Sequence, residues 1–272
     1  YNVSLSSDGV SVAIGAWLND GSGQDSGHVR VFDWNQQSWA QRGADIDGEA
    51  AGDRSGTSVS LSGDGNIVAI GAPGNDGNGE NSGQVRVYTW SSLDSGWLQQ
   101  GQDIDGEHVP DCERYGEVSD TDGDGLLDSC GDESGWSSSL SGDGLTLAVG
   151  AWKNDGNGRS SGHTRVYVWD EMLDRWKKLG RDIVGEAPED QSGWDTAIDA
   201  SGSVIAIGAW NNGLRKGHAR AFQISVSGDA FPLDAAESID TDADGTGNNA
   251  DTDDDGDGVA DSADAFPLDA TE

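Results

Sequence analysis

From Val59 to Ser62 apolar and polar positions alternate, Asp64-Gly65 follows, and Ile67 to Ala72 is almost continuously hydrophobic. Alternation reads as a half-buried strand, Asp-Gly is a preferred two-residue hairpin turn, and a short β-rich apolar run reads as a strand buried on both faces. Alternation returns in Val85 to Trp90, and the Trp-containing stretch Trp97 to Ile104 completes a predicted four-stranded meander. The same pattern occupies Val3 to Trp17, Ser138 to Trp152 and, more loosely, Thr196 to Trp210. Anchored on the Gly-Ala pairs at Gly15, Gly71, Gly150 and Gly208, the intervals are 56, 79 and 58 residues. Four-stranded antiparallel units at this period suit a β-propeller, whose small sheets cover their apolar faces against one another. The expected fold is all-β: propeller-type blades over 1–222 (about 1–54, 55–133, 134–191 and 192–222), plus an irregular extension over 223–272. No stretch longer than a turn or two reads as helix. The fourth copy lacks its last strand after Phe222.

The long second interval holds an insert over 110–134 with Asp120, Asp122, Asp124, Leu126 and Asp128 at alternating positions. The extension holds Asp240, Asp242, Asp244, Thr246, Asn248 and Asp251, then Asp253, Asp255, Asp257, Val259, Asp261 and Asp264. Oxygen-bearing side chains at loop positions 1, 3, 5, 9 and 12, a glycine at 6 and a backbone carbonyl at 7 are what a Ca²⁺ loop needs. The two later loops match every position, whereas the first has Gly131 at position 12, so Asp132 or water completes it. Cys112 and Cys130 bracket that first loop and read as one disulfide clamping an insert with little core of its own. An intracellular redox pair is the alternative, but this spacing is not a redox motif.

The core Ser-Gly-x-Ser-Val-Ser-Leu-Ser-x-Asp-Gly-x-x-Val-Ala-Ile-Gly-Ala-Pro, followed by Gly-x-Val-Arg-Val-Tyr, resembles the FG-GAP repeats of integrin-α-type propellers. The resemblance implies a secreted or surface-exposed propeller with seven blades, where four copies are visible. Blades upstream, closure of four units, or neighbouring molecules would each account for the difference. Ser-Gly stands in place of Phe-Gly at Ser55, Ser134 and Ser192. The duplicated Asp-Ala-Phe-Pro-Leu-Asp at 229–234 and 264–269 is similar to thrombospondin type 3 calcium repeats, which implies a calcium-wrapped connector.

Fifty acids against fifteen bases give a net charge of -35, which speaks against nucleic-acid binding, and no apolar run is long enough to span a bilayer. The charge is concentrated. Residues 110–134 carry nine acids and one base, and 229–272 carry fifteen acids and no base, leaving -12 for the blades and joins. His28, His163 and His218 share one repeat position with Gln84, which favours a blade-edge hydrogen-bonding role over a metal or catalytic one. Asp-x-x-Gly-Glu at 45–49, 103–107 and 182–186 offers paired carboxylates, but recurrence once per blade favours loop ordering over a glycosidase dyad. The eleven tryptophans fall into repeat classes, so packing is their default role and sugar stacking the alternative. The Asn-Asp-Gly-x-Gly loops at Asn19, Asn75 and Asn154 are explained by turn formation, and no nucleophile elbow, zinc cluster or phosphate-cradling loop is present. The expected function is a non-catalytic, extracellular or cell-surface, calcium-binding structural or adhesion module. Its partners would be other protein subunits or surface glycans, with homo-oligomer or filament formation by neighbouring copies. The competing expectation is a carbohydrate-binding accessory module or polysaccharide-active enzyme.

Overall fold

A computed structural model describes residues 2–107, 131–224 and, in the acidic tail, 241, 246, 248, 250–256 and 258–261. Four antiparallel sheets follow one another as the blades of a four-blade β-propeller arrangement. The first blade comprises β1 (Asn2–Leu5), β2 (Ser11–Ala16), β3 (His28–Trp34), β4 (Trp39–Gln41) and β5 (Ile46–Asp47). The second comprises β6 (Ser58–Leu61), β7 (Ile67–Ala72), β8 (Gln84–Ser91), β9 (Gly96–Gln99) and β10 (Ile104–Asp105). The third comprises β11 (Ser137–Leu140), β12 (Thr146–Ala151), β13 (His163–Asp170) and β14 (Arg175–Val184). The fourth comprises β15 (Ser192–Ile198), β16 (Val204–Ala209) and β17 (His218–Gln223), with a single helical turn α1 (Asn212–Arg215) before β17. Among the described residues no helix is long and apolar enough to cross a membrane.

A hairpin forms at Asp64-Gly65, but not through a two-residue turn: Ser62 N–H donates to Ile67 O and Gly65 N–H to Ser62 O, so four residues, Gly63 to Asn66, make the loop. Asp64 Oδ1 accepts hydrogen bonds from the Ser62 hydroxyl (2.6 Å) and the Asn66 N–H (2.9 Å), and Gly65 takes φ +72°. Asp8 and Asp143 repeat the aspartate's role in their own turns. A second expectation needs correcting: the stretch from Trp97 to Ile104 is not one strand. It bends at Gly101, in the left-handed region at φ +75°, where the next blade's Trp169 ring presses in, so β9 and β10 pair with opposite ends of β8. In the third blade β14 runs unbroken, with an irregularity in its pairing between Thr164 and Val166.

Blades join by the same contacts each time. On one side Ala13, Val29, Val31 and Ile46 of the first blade meet Val59, Leu61, Val68, Ile70 and Tyr88 of the second, all buried. Equivalent clusters form between the second and third blades and between the third and fourth. At the inner strands the backbone N–H of Leu61, Leu140 and Ile198 donates to the hydroxyl of Ser4, Ser60 and Ser139 on the preceding blade. The hairpin turns are linked as well, Ser7 N–H to Gly63 O, Gly63 N–H to Gly142 O and Gly142 N–H to Ala200 O. Gly15, Gly71 and Gly150 lie where the carbonyl of the next blade's Ser-Gly pair seats, and a Cβ there would collide with Gly56, Gly135 or Gly193.

Candidate functional site

The Asp-x-x-Gly-Glu loops are latches between blades. Glu49 leaves the first blade and accepts from Gln84 Nε2 of the second (2.9 Å) while pairing with Arg86 (3.3 Å), whose other arm donates to Asp47 O (3.0 Å). Glu107 leaves the second blade and pairs with Arg165 of the third, and Asn154 Nδ2 donates to it (3.3 Å). Glu186 leaves the third blade and pairs with His218 of the fourth (2.9 Å), where Arg220 donates to Val184 O (2.6 Å). The first aspartate of each motif stays within its own blade: Asp45 takes a two-pronged bond from Arg30, and Asp182 accepts from Arg165 Nε (3.2 Å). The Arg30 bonds, helped by Gln41, hold the Asp45 carboxyl down at about 2. A second aspartate caps each loop, with Asp53, Asp132 and Asp190 accepting from Glu49, Glu107 and Ala187 N–H.

Among the described residues two groups have the donor geometry of a metal site, His28 with Asp45 and Asp47, and Glu107 with His163 and Asp182. In both an arginine already occupies carboxylate oxygens, Arg30 in the first and Arg165 in the second, so the arrangement is that of a charge-balanced latch. His163 is 2% exposed, and burial, reinforced by the Arg165 charge against the pull of Asp182, pushes it down to about 3. A histidine depressed below its unfolded value contributes stability that is present above the unfolded pKa and lost as pH falls toward the folded one. Between pH 7 and pH 4 that loss is about 3 kcal/mol. His163→Gln, the residue the second blade uses at this position, is therefore expected to move the acid-unfolding midpoint to lower pH. An unchanged midpoint in a circular-dichroism pH titration would exclude His163 as an acid-sensitive group.

The Asn-Asp-Gly-x-Gly loops are turns in all three copies. Asn19, Asn75 and Asn154 Oδ1 accept from the N–H of Gly21, Gly77 and Gly156, and Asp20, Asp76 and Asp155 from that of Asp25, Asn81 and Ser160. Of the calcium-loop positions, Asp120, Asp122, Asp124, Leu126 and Asp128 lie outside the described residues, as do Cys112, Cys130, Asp240, Asp242, Asp244, Asp257 and Asp264. Within the last loop, Asp261 N–H donates to Thr252 O (3.0 Å), Asp254 N–H to Asp261 Oδ1 (2.8 Å) and Gly258 N–H to Asp253 Oδ2 (3.1 Å). Among the described residues Asp253 Oδ1 is buried without a hydrogen-bond partner, and Asp255, two residues on, is buried as well. An orphaned buried carboxylate oxygen in a closed, acid-rich loop fits a hard cation, with Asp253, Asp255, the Val259 carbonyl and Asp261 as the described donors. In the middle loop Asn248 Oδ1 accepts from Thr241 N–H (3.1 Å), and Asp251 Oδ1 accepts from Asp253 N–H (3.0 Å).

Tryptophans pair across neighbouring strands within the blades, Trp34 with Trp39, Trp90 with Trp97 and Trp169 with Trp176. A separate row, Trp136, Trp152, Trp194 and Trp210, joins the third and fourth blades through rings 5.0–5.6 Å apart. Trp152 Nε1 donates to Glu133 (2.8 Å), and Lys153 lies over the Trp152 ring while pairing with Glu133 (2.9 Å). Sequence classes did not reveal that two different repeat positions meet here. The arginines of the latch were legible only as the fixed Arg of Val-Arg-Val, recurring at Arg30 and Arg86 and, with changed neighbours, at Arg165 and Arg220.

Residues 45–88 and 128–168 match the FG-GAP repeat. No curated protein matches the chain. Among solved structures, hydrazine synthase of Kuenenia stuttgartiensis is similar at 13% identity and a TM-score of 0.46, over 82% of this chain and 45% of that one. The periplasmic gluconolactonase of Pseudomonas aeruginosa is similar at 14% identity and a TM-score of 0.46, over 84% of this chain and 58% of that one. The chain thus spans about half the length of these two proteins. Two segments of the chain match the FG-GAP repeat, and the described strands they cover fold as blades of a four-blade β-propeller arrangement.

Proposed function

We propose that this chain is a non-catalytic, extracellular or surface-exposed structural module in which a latched propeller carries a calcium-binding acidic extension. The observation that carries the reading is Asp253 Oδ1, a buried carboxylate oxygen without a hydrogen-bond partner among the described residues, in a loop closed by Asp261 N–H donating to Thr252 O. Asp253, Asp255, Val259 and Asp261 would hold Ca²⁺ there, with Asp257 and Asp264 as the remaining donors of the sequence pattern. Bound calcium supplies the positive charge that offsets repulsion among these carboxylates. The paired carboxylates of the blades support a structural role, because Glu49, Glu107 and Glu186 each hold the next blade. Loops of extracellular type bind with Kd of about 0.1–1 mM. Calorimetric titration of the full chain with Ca²⁺ is expected to show binding in that range, with one site lost in Asp253→Asn. Absence of binding heat at millimolar Ca²⁺, at two temperatures, would contradict the calcium part of the reading.

A second reading, a carbohydrate-binding accessory module, is favoured by the row from Trp136 to Trp210, which ends on a half-exposed Trp210. The second blade has Thr57 and Pro73 where the third has Trp136 and Trp152, so the row does not continue into the second blade. Glycan-array binding that Trp210→Ala removes would mark this reading, and accompanying hydrolysis would mark an enzyme.

A further inference from the structure

We propose that Asn212 is a site of self-modification, whose side-chain amide is lost as ammonia through a cyclic imide formed with the backbone nitrogen of Gly213. The product is a carboxylate inside the latch between the third and fourth blades, so the reaction loosens that junction as the protein ages.

Asn212 holds the repeat position of Asn19, Asn75 and Asn154, each following the Gly-Ala pair of its blade at the same distance. Between the second and third blades Asn154 Nδ2 donates to Asp132 (3.0 Å) and Glu107 (3.3 Å). Between the third and fourth Asn212 Nδ2 donates in the same way to Asp190 (2.9 Å) and Glu186 (3.5 Å). The latching role is kept, but the next residue is not: Asp20, Asp76 and Asp155 succeed the first three asparagines, and Gly213 succeeds the fourth. The side-chain carbonyls of the first three are also held, by the N–H of Gly21, Gly77 and Gly156. Asn212 Oδ1 has no hydrogen-bond partner among the described residues.

Imide formation needs the backbone nitrogen of the following residue to reach the amide carbon, and glycine hinders that approach least because it has no Cβ. Asn-Gly occurs at Asn78, Asn157 and Asn212. In the first two pairs both reactants are tied. Gly79 N–H donates to Asp76 O (3.0 Å) and Gly158 N–H to Asp155 O (2.9 Å). Asn78 Nδ2 donates to Gly106 O (2.8 Å), and Asn157 Nδ2 to Gly185 O and Glu186 O (2.9 Å each). Gly213 instead lies in the first turn of α1, where an N–H has no acceptor within the helix, and it has no hydrogen-bond partner among the described residues. It is exposed at φ +62°, and the nearest atom to a Cβ placed there lies 3.9 Å away on Lys216. Of the Asn212 amide only Nδ2 is held, and Nδ2 is the atom that leaves.

In the first step the Gly213 nitrogen bonds to Asn212 Cγ, the Cγ–Nδ2 bond breaks, and Nδ2 departs as ammonia with the proton from Gly213. Water then opens the ring at either carbonyl, giving aspartate or its β-linked isomer, with no change of oxidation state. Either product puts negative charge where Asn212 donated, facing Glu186 and Asp190, which is 4% exposed. Asp190 Oδ2 keeps the Ala187 N–H (2.9 Å) but loses the side-chain donor and gains a like charge in its place.

The test follows the full chain during storage in mildly alkaline buffer, by peptide mass mapping of the three Asn-Gly sites. Asn212 is expected to convert from amide to acid about tenfold faster than Asn78 or Asn157, and the three are expected to convert at similar rates in urea. Equal rates in the folded chain overturn the proposal. The same ranking in urea overturns it too, because the fold would then not select the site. Stored protein is expected to melt about 2–4 °C below fresh protein. Asn212→Gln keeps an amide but would need a slower six-membered ring, so its stored and fresh samples are expected to melt alike. A fall of equal size in the parent and in Asn212→Gln, or an unchanged melt after Asn212 has converted, overturns the loosening of the junction.

Discussion

Gly71→Ala is expected to destabilise the protein by about 3 kcal/mol or more, whereas Gly208→Ala changes stability by less than about 0.5 kcal/mol. Both glycines occupy one repeat position in the central part of their blades. At Gly71 a Cβ would run into the backbone carbonyl of Gly135 and the Ser58 hydroxyl, which itself donates to Gly135 O (2.9 Å). Neither obstacle is the free end of a flexible side chain, so the second and third blades must separate. At Gly208 the nearest atom lies 3.6 Å away, on Asp195 of the same blade, which is ordinary contact. Alanine there even gains from lower backbone entropy in the unfolded chain, worth about 0.5–1 kcal/mol, which offsets any loss. Denaturant unfolding of the two variants measures the difference. Equal losses would mean that the close approach between blades does not hold the array together.

Arg165→Ala is expected to cost about 2–3 kcal/mol and Arg30→Ala far less, although the two arginines are repeat equivalents. The Arg165 side chain is 8% exposed and joins Glu107 of the preceding blade to Asp182 of its own. Its removal leaves Asp182, 19% exposed, with Lys178 as its one cationic partner among the described residues besides His163, which burial keeps neutral. The Glu107 end is half-exposed, which is why the expected loss falls below that of a fully buried pair. Arg30 makes a comparable bond to Asp45 but at the solvent edge, where water screens it and takes its place. Thermal melts of both variants at low and high salt would separate the two. A salt-sensitive loss of equal size at both positions would contradict the latch.

Much of this architecture was legible in the chain. The strands β6, β7 and β8 follow from the alternation at Val59 to Ser62, the apolar run at Ile67 to Ala72 and the alternation of Val85 to Trp90. The split of the last strand was not, because it depends on Gly101 yielding to a ring from the next blade, a contact between residues far apart in sequence. The Asp-x-x-Gly-Glu motif announced an ordered loop through its recurrence, but its target was hidden. Glu49 and Gln84 are separated by 35 residues and meet only once the blades stack. In the last acidic loop Gly258 N–H donates to Asp253 Oδ2, a contact within five residues that the local spacing makes available.

The central claim is that calcium is a structural ligand of a module whose blades are held by their own latches. Differential scanning calorimetry of the full chain, in millimolar Ca²⁺ and then in excess chelator, tests it most directly. A tenfold excess over Kd stabilises each occupied loop by about 1.4 kcal/mol. The expected result is a transition that moves down, or a low-temperature component that disappears, in chelator, with the blade transition persisting. Superimposable melts in calcium and chelator would contradict the account.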